Sequence, residues 1–493
     1  MIFRSPGLAL LALLSVIRLN AATAPERPPN IVVILADDLG WGDVSFQGAK
    51  LIRTPRIDAL AREGRQFTQG YAPASVCSPT RYGILTGRFC WRTSLKRKTL
   101  PLEAPLHIEA GRMTVASLLK AHGYRTAAIG KWHLGYGEPP RLDWSRPIAP
   151  GPLEVGFDEH FGVPSNHGDS SHAYISGHSV YGVKPGATFK PLARGELSPA
   201  LAEPRVDDLV NEKLTQHAVA FIEANRARPF YLHYTPTIPH AHHTPAPKFR
   251  GSSRAGLYGD VIQELDAHVG TIVDTLDRLG LRENTLVLFS SDNGGAISDF
   301  DGEGEASRLN LSEDPGGKVQ ATYMHARRDA QAAGHVINGG LGGAKGNVGE
   351  GGFRVPFVVR WPGRVPAGTK SDAVVCLTDL LATTAGILGA KLPDDAGEDS
   401  FDIGPALFER EPVTLKREAL VLHAGSGVFA IRQGPWKMVE RIDGAKKGRL
   451  QLYNLDADPV EKRDVQSEHP EIAARLLGLL DRFRSEGRSR PGM

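Results

Sequence analysis

The stretch Asn30-Ile-Val-Val-Ile-Leu-Ala36 runs without a break into Asp37-Asp38-Leu-Gly40, and the reading of this junction decides the fold. An aliphatic run with no polar alternation describes a strand buried on both faces, as in a parallel sheet covered by helices on either side. Three further segments repeat the design. Thr285-Leu-Val-Leu-Phe-Ser-Ser291 leads into Asp292-Asn293-Gly294-Gly295, Arg125-Thr-Ala-Ala-Ile129 into Gly130-Lys-Trp-His133, and Pro229-Phe-Tyr-Leu-His-Tyr234 into a loop holding His240-Ala-His-His243. Ligands of open α/β sheets bind beyond the carboxyl ends of the strands, so these four polar endings are expected to converge on one edge.

Amphipathic helices fill the intervals. Thr54-Pro55 opens one with a capping hydroxyl and a first-turn proline, and Ile57, Leu60 and Ala61 line its inner face. Val261, Leu265, Val269, Ile272, Leu276 and Leu279 recur at helical spacing until Gly280 ends the run. Val355–Arg360 reads as another strand. Toward the C-terminus, Val428–Arg432, Trp436–Glu440 and Leu450–Tyr453 are short alternating β-type runs, followed by an amphipathic helix from Ile472 to Phe483. The arginine-rich tail, Arg482 to Arg490, reads as a solvated end. A chain of 493 residues exceeds one simple core, which implies a large α/β unit and a smaller companion.

The 58 basic and 55 acidic side chains leave a net charge of +3, too little for a nucleic-acid footprint. At the N-terminus, Arg4, the apolar run Gly7–Ile17 and Ala22-Thr-Ala24 read as a secretory signal with its cleavage site. The apolar run falls short of the roughly 20 residues a spanning helix needs. Export to the periplasm or medium is therefore expected, with no membrane attachment after cleavage. Cys77, Cys90 and Cys376 are an odd set, so at least one lies outside any intramolecular disulfide, and a Cys90–Cys376 bond stays open.

Each polar ending has a local explanation as a turn. Asp37-Asp38 demands more, because adjacent carboxylates at a sheet edge repel unless a cation or arginine compensates. With Asp292 and Asn293 they form a hard oxygen set suited to calcium or magnesium. His240, His242 and His243 admit a zinc reading, but neither H-E-x-x-H nor C-x-x-C accompanies them, and imidazoles bonded within a loop fit as well. His240 follows Pro239 and is aimed by a rigid turn. In Gly339–Gly352, Ala344 and Gly346 occupy positions where a nucleotide-binding P-loop needs glycine and Ser/Thr. What remains is a flexible loop, or a backbone pressed against an anion with Lys345 as its cation.

Cys77-Ser-Pro79-Thr-Arg81, followed by Leu85-Thr-Gly87-Arg88, resembles the C-x-P-x-R signature of the type I, formylglycine-dependent sulfatases of the alkaline-phosphatase-like superfamily. The resemblance extends through Asp37–Asp43, Gly130–Gly135, Pro239-His240, Ser291–Gly294, Lys345-Gly, Glu350–Pro356 and Trp361–Gly363. It implies a signal peptide at 1–24, a catalytic domain at 25–394 with a large, mainly parallel mixed sheet sandwiched by helices, and a C-terminal subdomain at 395–493 with a small antiparallel sheet and a helix. It further implies that a maturation enzyme reads Pro79 and Arg81 and oxidises Cys77 to formylglycine (3-oxoalanine), whose hydrate attacks sulfur. The same resemblance assigns Asp37, Asp38, Asp292, Asn293 and the modified Cys77 to a calcium ion, with magnesium the alternative. Arg81 would steady the diol, Lys131 and Lys345 would clamp sulfate oxygens, His133 would take the proton that lets the intermediate collapse, and His240 would protonate the departing alcohol. Asp292 would also help activate the attacking hydroxyl. The implied substrate is an aryl or, preferentially, a carbohydrate sulfate.

Two long loops are expected to border the pocket: Asn166–Tyr181, with His167, Asp169, His172, Tyr174 and His178, and Ala296–Asn338. The basic run Arg88, Arg92, Lys96, Arg97 and Lys98 is either a solvated loop or an attractor for a sulfated polymer. Three other functions stay open on these residues: a phosphonate monoester or phosphodiester hydrolase sharing the nucleophile, a non-catalytic binder of sulfated glycans, and a plain cysteine hydrolase.

Overall fold

A computed structural model describes residues 27–166, 168–184, 205–298, 311–313, 325–443 and 446–492. The expected signal segment, His167 and most of the 296–338 loop lie outside the described residues. No helix among those described is long and apolar enough to cross a membrane.

Ten strands form the main sheet: β1 (Asn30–Ala36), β2 (Arg65–Tyr71), β3 (Arg125–Lys131), β4 (Glu159–Val163), β5 (Ile175–Ser176), β6 (Ser179–Val180), β7 (Phe230–Thr235), β8 (Thr285–Ser291), β9 (Val358–Arg360) and β10 (Thr369–Cys376). Their order is β10-β2-β9-β8-β1-β7-β3-β4-β5-β6. The four strands singled out by their polar endings, β8, β1, β7 and β3, are consecutive neighbours and all parallel. Their registers keep the ends level, with Ala36 opposite Ser291 and Gly130 opposite Thr235.

Strand β1 shows why the junction was informative. Ile31, Val33 and Leu35 enter one core cluster, and Val32, Ile34 and Ala36 enter another on the opposite face. The second face is covered by α1 (Pro55–Glu63), α4 (Val210–Asn225) and α5 (Gly256–Arg278), the first by α2 (Cys77–Thr86), α3 (Val115–Ala121) and the helix Leu380–Leu388. Val261, Leu265, Val269, Ile272 and Leu276 of α5 are all buried, and Gly280 follows with φ +67°.

Three expectations change, and one open point is answered. Thr54 does not cap α1 with its hydroxyl, which is held by Ser45 (2.8 Å) and donates to Asp58 (3.1 Å). The first-turn N–H groups of Arg56 and Ile57 donate instead to Asp266 of α5, at 3.0 and 2.8 Å. A carboxylate is the stronger acceptor at the positive end of a helix. Asp266→Ala is therefore expected to cost about 1–2 kcal/mol of stability, read as a lower urea midpoint with unaltered turnover. The strand expected from Val355 begins only at Val358, because Pro356 has no N–H for a ladder. No bond joins Cys90 to Cys376; both are buried thiols. The arginine-rich tail is docked: Ser489 donates from N and Oγ to Asp399 (3.1 and 2.8 Å), Arg490 donates to the Gly397 carbonyl, and Arg484 pairs with Glu440 at 2.6 Å.

The smaller unit is a four-stranded antiparallel sheet, β11 (Leu420–His423), β12 (Phe429–Gln433), β13 (Trp436–Asp443) and β14 (Lys446–Asn454), backed by the helix Pro470–Ser485. Its core is continuous with the main unit, since Tyr71, Phe89, Phe353 and Cys376 pack among Leu420, Leu422, Met438, Leu476 and Phe483. At the centre of this contact, buried Lys437 lies 3.0 Å from Glu350 and 2.8 Å from Glu461, while Tyr71 donates to the other Glu350 oxygen at 2.6 Å. Removing the lysine leaves two carboxylates facing each other out of water. Lys437→Met is expected to lose about 3–5 kcal/mol in chemical denaturation.

Candidate active site

The polar endings meet at the carboxyl edge of β8, β1, β7 and β3. Asp37 and Asp38 leave β1, with Asp38 in the left-handed region at φ +67°. Asp292 and Asn293 leave β8, Lys131 ends β3, and His240 follows β7 after a cis Ile238–Pro239 bond. Gly130 allows β3 and β7 to close at this edge: its φ is +125°, and a Cβ there would lie 2.0 Å from the Thr235 carbonyl. Helix α2 begins at Cys77 against this edge, so Arg81, one turn on, points into the same volume.

Ligand atoms of Asp37, Asp38, Cys77 and His240 all lie within 4.8 Å of one another, and all four residues are buried. Cys77 Sγ stands 3.6 Å from Asp37 Oδ1. Lys131 Nζ donates to both Asp37 oxygens at 2.8 and 3.0 Å and to Asn166 Oδ1 at 2.6 Å. Arg81 pairs with Asp292 at 2.7 Å and lies 3.6 Å from Asp37. Lys345 Nζ, brought in by the glycine-rich loop, lies 3.1 Å from Asp38 Oδ2 and 3.2 Å from His240 Nε2. His240 Nδ1 donates to the Ala241 carbonyl at 2.7 Å, which leaves Nε2 as the ring nitrogen facing Lys345 and Asp38. His133, at φ +54°, directs Nε2–H to the Leu100 carbonyl at 3.0 Å, and Leu100 N in turn donates to Ser78 Oγ beside Cys77.

Burial would raise the Asp37 carboxyl, but Lys131, His240, Arg81 and Lys345 together hold it far below the usual carboxylate range. Asp292 goes the other way, up to about 6, through burial and the charge of Asp37, against Arg81. For His240, burial and Lys345 favour the neutral ring, yet Asp38 and Asp37 prevail and raise its pKa. The donor set fits a hard divalent cation. Asn293 donates from Nδ2 to Asp38 Oδ1 at 2.7 Å, and its Oδ1 is a buried acceptor with no hydrogen-bond partner. An orphaned amide oxygen beside three buried carboxylates is the ligand chemistry of calcium or magnesium. His242 and His243 stay outside this group, His243 packing edge-on against Tyr258.

Two residues of the site carried no motif. Arg327, fully buried on the helix Ala326–Ala332, donates to Asp38 Oδ2 (3.2 Å), the Ser298 carbonyl (3.0 Å) and the Pro239 carbonyl (3.5 Å). Asn166 orients Lys131. Both come from the two loops expected to border the pocket, but no local pattern distinguishes them from surface polar residues. Three carboxylates thus face four fixed cations, Lys131, Arg81, Lys345 and Arg327, and the balance favours an anionic ligand.

The family model described as Sulfatase matches residues 29–390. N-acetylgalactosamine-6-O-sulfatase of Bacteroides thetaiotaomicron is 32% identical, over 92% of this chain and 93% of its own. Arylsulfatase A of Homo sapiens is 33% identical, over 85% of this chain and 76% of its own. A solved 6S-sulfatase from work on the metabolism of multiple glycosaminoglycans by Bacteroides thetaiotaomicron superposes with a TM-score of 0.81 at 31% identity, covering 93% of this chain and all of that one. A cation-rich pocket around a helix-borne cysteine, on this sheet and with these relatives, has one reading: the chain belongs to the sulfatase family and is a sulfuric ester hydrolase.

Proposed function

We propose that this sulfatase removes sulfate from a sugar ring, using a formylglycine derived from Cys77 and a bound calcium ion. The observation that carries the reading is the position of Cys77 Sγ among Asp37, Asp38 and His240. The sugar preference is supported by the relatives named for N-acetylgalactosamine-6-sulfate. Formylglycine, as its hydrate, supplies an oxygen nucleophile, and calcium, held by Asp37, Asp38, Asp292 and Asn293, supplies Lewis acidity. The remaining chemistry belongs to the chain. Lys131 and Lys345 bracket the carboxylates and hold the sulfate oxygens, so charge developing on them meets fixed ammonium groups in a dry site. His240, its ring fixed through Nδ1, presents Nε2 as the proton donor to the leaving alcohol. His133, fixed through Nε2, offers Nδ1 as the base for the later proton. Arg81 keeps Asp292 and Asp37 in place beside the nucleophile.

A panel of monosulfated sugars, run beside an aryl sulfate and a phosphate diester, tests the reading. Sulfate release is expected from at least one sugar, with 6-O-sulfated N-acetylgalactosamine the first candidate. Turnover confined to the phosphate diester would overturn it. Chelation provides a second check: stripping the divalent ion is expected to abolish turnover and lower the melting temperature, and calcium should restore both. At a concentration about 100 times its Kd the ion contributes roughly 2.7 kcal/mol of stability.

A further inference from the structure

The basic run after the nucleophile helix divides into two parts. Arg88 pairs with Glu109 and Glu398 at 3.1 and 3.2 Å, and Arg92 with buried Asp399 at 2.8 Å, so both are consumed in holding the fold. Lys96, Arg97 and Lys98 are consecutive and exposed, and no carboxylate among the described residues lies within ion-pair distance of any of them. Lys96 is held in the left-handed region at φ +57°, a conformation lysine rarely adopts, so this is a shaped turn.

That turn is wired to the catalytic loops at both ends. Two residues beyond Lys98, and so within about 7 Å of chain, Leu100 bonds both Ser78 beside the nucleophile and His133. The Arg97 guanidinium donates to the Ser426 carbonyl, and Ser426 N donates to Gly346 O at 3.1 Å, directly after Lys345. The field of the turn is felt nearby: burial, then Arg97, Arg484 and Lys96, lower the His423 imidazole to about 4.

We infer that Lys96, Arg97 and Lys98 form an anion subsite on the rim of the pocket, which holds a second negative group, sulfate or carboxylate, on a sugar adjoining the one that loses sulfate. The inference rests on the carbohydrate reading above and narrows it from sulfated sugars to polyanionic chains. Cations at a pocket mouth with no carboxylate partner among the described residues raise the local concentration of such a chain and fix its register.

The test measures binding without turnover. In full-length protein carrying Cys77→Ala, calorimetry with a sulfated chondroitin tetrasaccharide is compared before and after Lys96→Gln, Arg97→Gln and Lys98→Gln together. The expected loss is about tenfold, the sum of three partly exposed pairs, and it should shrink as salt rises. Lys96→Gln with Lys98→Gln, which keeps the Arg97–Ser426 contact, should show an intermediate loss. Tetrasaccharide without sulfate identifies the group: retained dependence on the three cations assigns carboxylate, and dependence seen only with the sulfated chain assigns sulfate. With Cys77 intact, all variants should hydrolyse a small aryl sulfate within about twofold of the parent, since exposed charges away from the reacting atoms carry little of its binding. Unchanged tetrasaccharide affinity in the triple variant, or an equal loss on the aryl sulfate, would overturn the subsite. Failure of the carbohydrate reading shows separately, as wild-type protein that releases no sulfate from any sugar.

Discussion

Exchange of Cys77 for alanine should leave a folded protein that releases no measurable sulfate. The side chain is fully buried at the first residue of α2, and deleting one heavy atom there costs about 1 kcal/mol, well within what a domain tolerates. Rate is another matter. Without the nucleophile, the cations and any bound ion can still position a sulfate ester, but the covalent route is closed. Losses of about 10⁴-fold or more follow when a nucleophile is removed from an intact site. Sulfate release and the mass of the Cys77 peptide are the two readouts. Active wild-type protein with an unmodified thiol, or an active alanine variant, would overturn the assignment.

The second large effect is expected at His240, and it depends on the leaving group. A sugar alkoxide is a poor leaving group and needs a proton as the bond to sulfur breaks, whereas a nitro-substituted phenolate leaves unaided. His240→Ala should therefore lower kcat/KM on a sugar sulfate by about 10²–10⁴-fold and affect a nitroaryl sulfate far less. Equal losses on both substrates would instead place His240 in sulfate binding. The contact with Lys345 at 3.2 Å makes that comparison necessary, because removing the ring also releases a cation next to Asp38.

Most of the edge that holds the site was legible from local pattern. Four mainly apolar β-type runs, each leading into a turn or loop with polar or histidine side chains, became four adjacent parallel strands with level ends. Buried parallel strands leave this mark because both faces are apolar and only the ends can carry chemistry. The cysteine signature likewise lies on one helical turn, where spacing and contact coincide.

What escaped was contact between distant segments. Asp266 caps a helix about 210 positions away, Arg327 reaches back to Asp38, and Lys437 of the small sheet bonds Glu350 beyond the glycine-rich loop. Nothing within ten residues of any of them reports its partner. The edge strand β10 and its neighbour β2 were missed for a related reason: Arg65-Gln66 and Thr68-Gln69 in one and Thr369-Lys-Ser-Asp372 in the other are consecutive polar residues, and the pairing is broken by a register shift at Ser371/Val374, so neither has a clean period.

For the conversion of Cys77 proposed above, the complete burial of this residue would also set an order of events in the life of the chain. Ser78, Pro79, Thr80 and Arg81 are sealed with it inside the folded molecule. An enzyme that edits this cysteine needs the segment extended and accessible, so its opportunity closes when α2 docks on the sheet. A chain that folds first as the thiol is locked in that form, and supplying the editing enzyme afterwards cannot rescue it unless the protein is unfolded again. Competition between folding and editing, more than the stability of the finished enzyme, would then set the active fraction of a preparation.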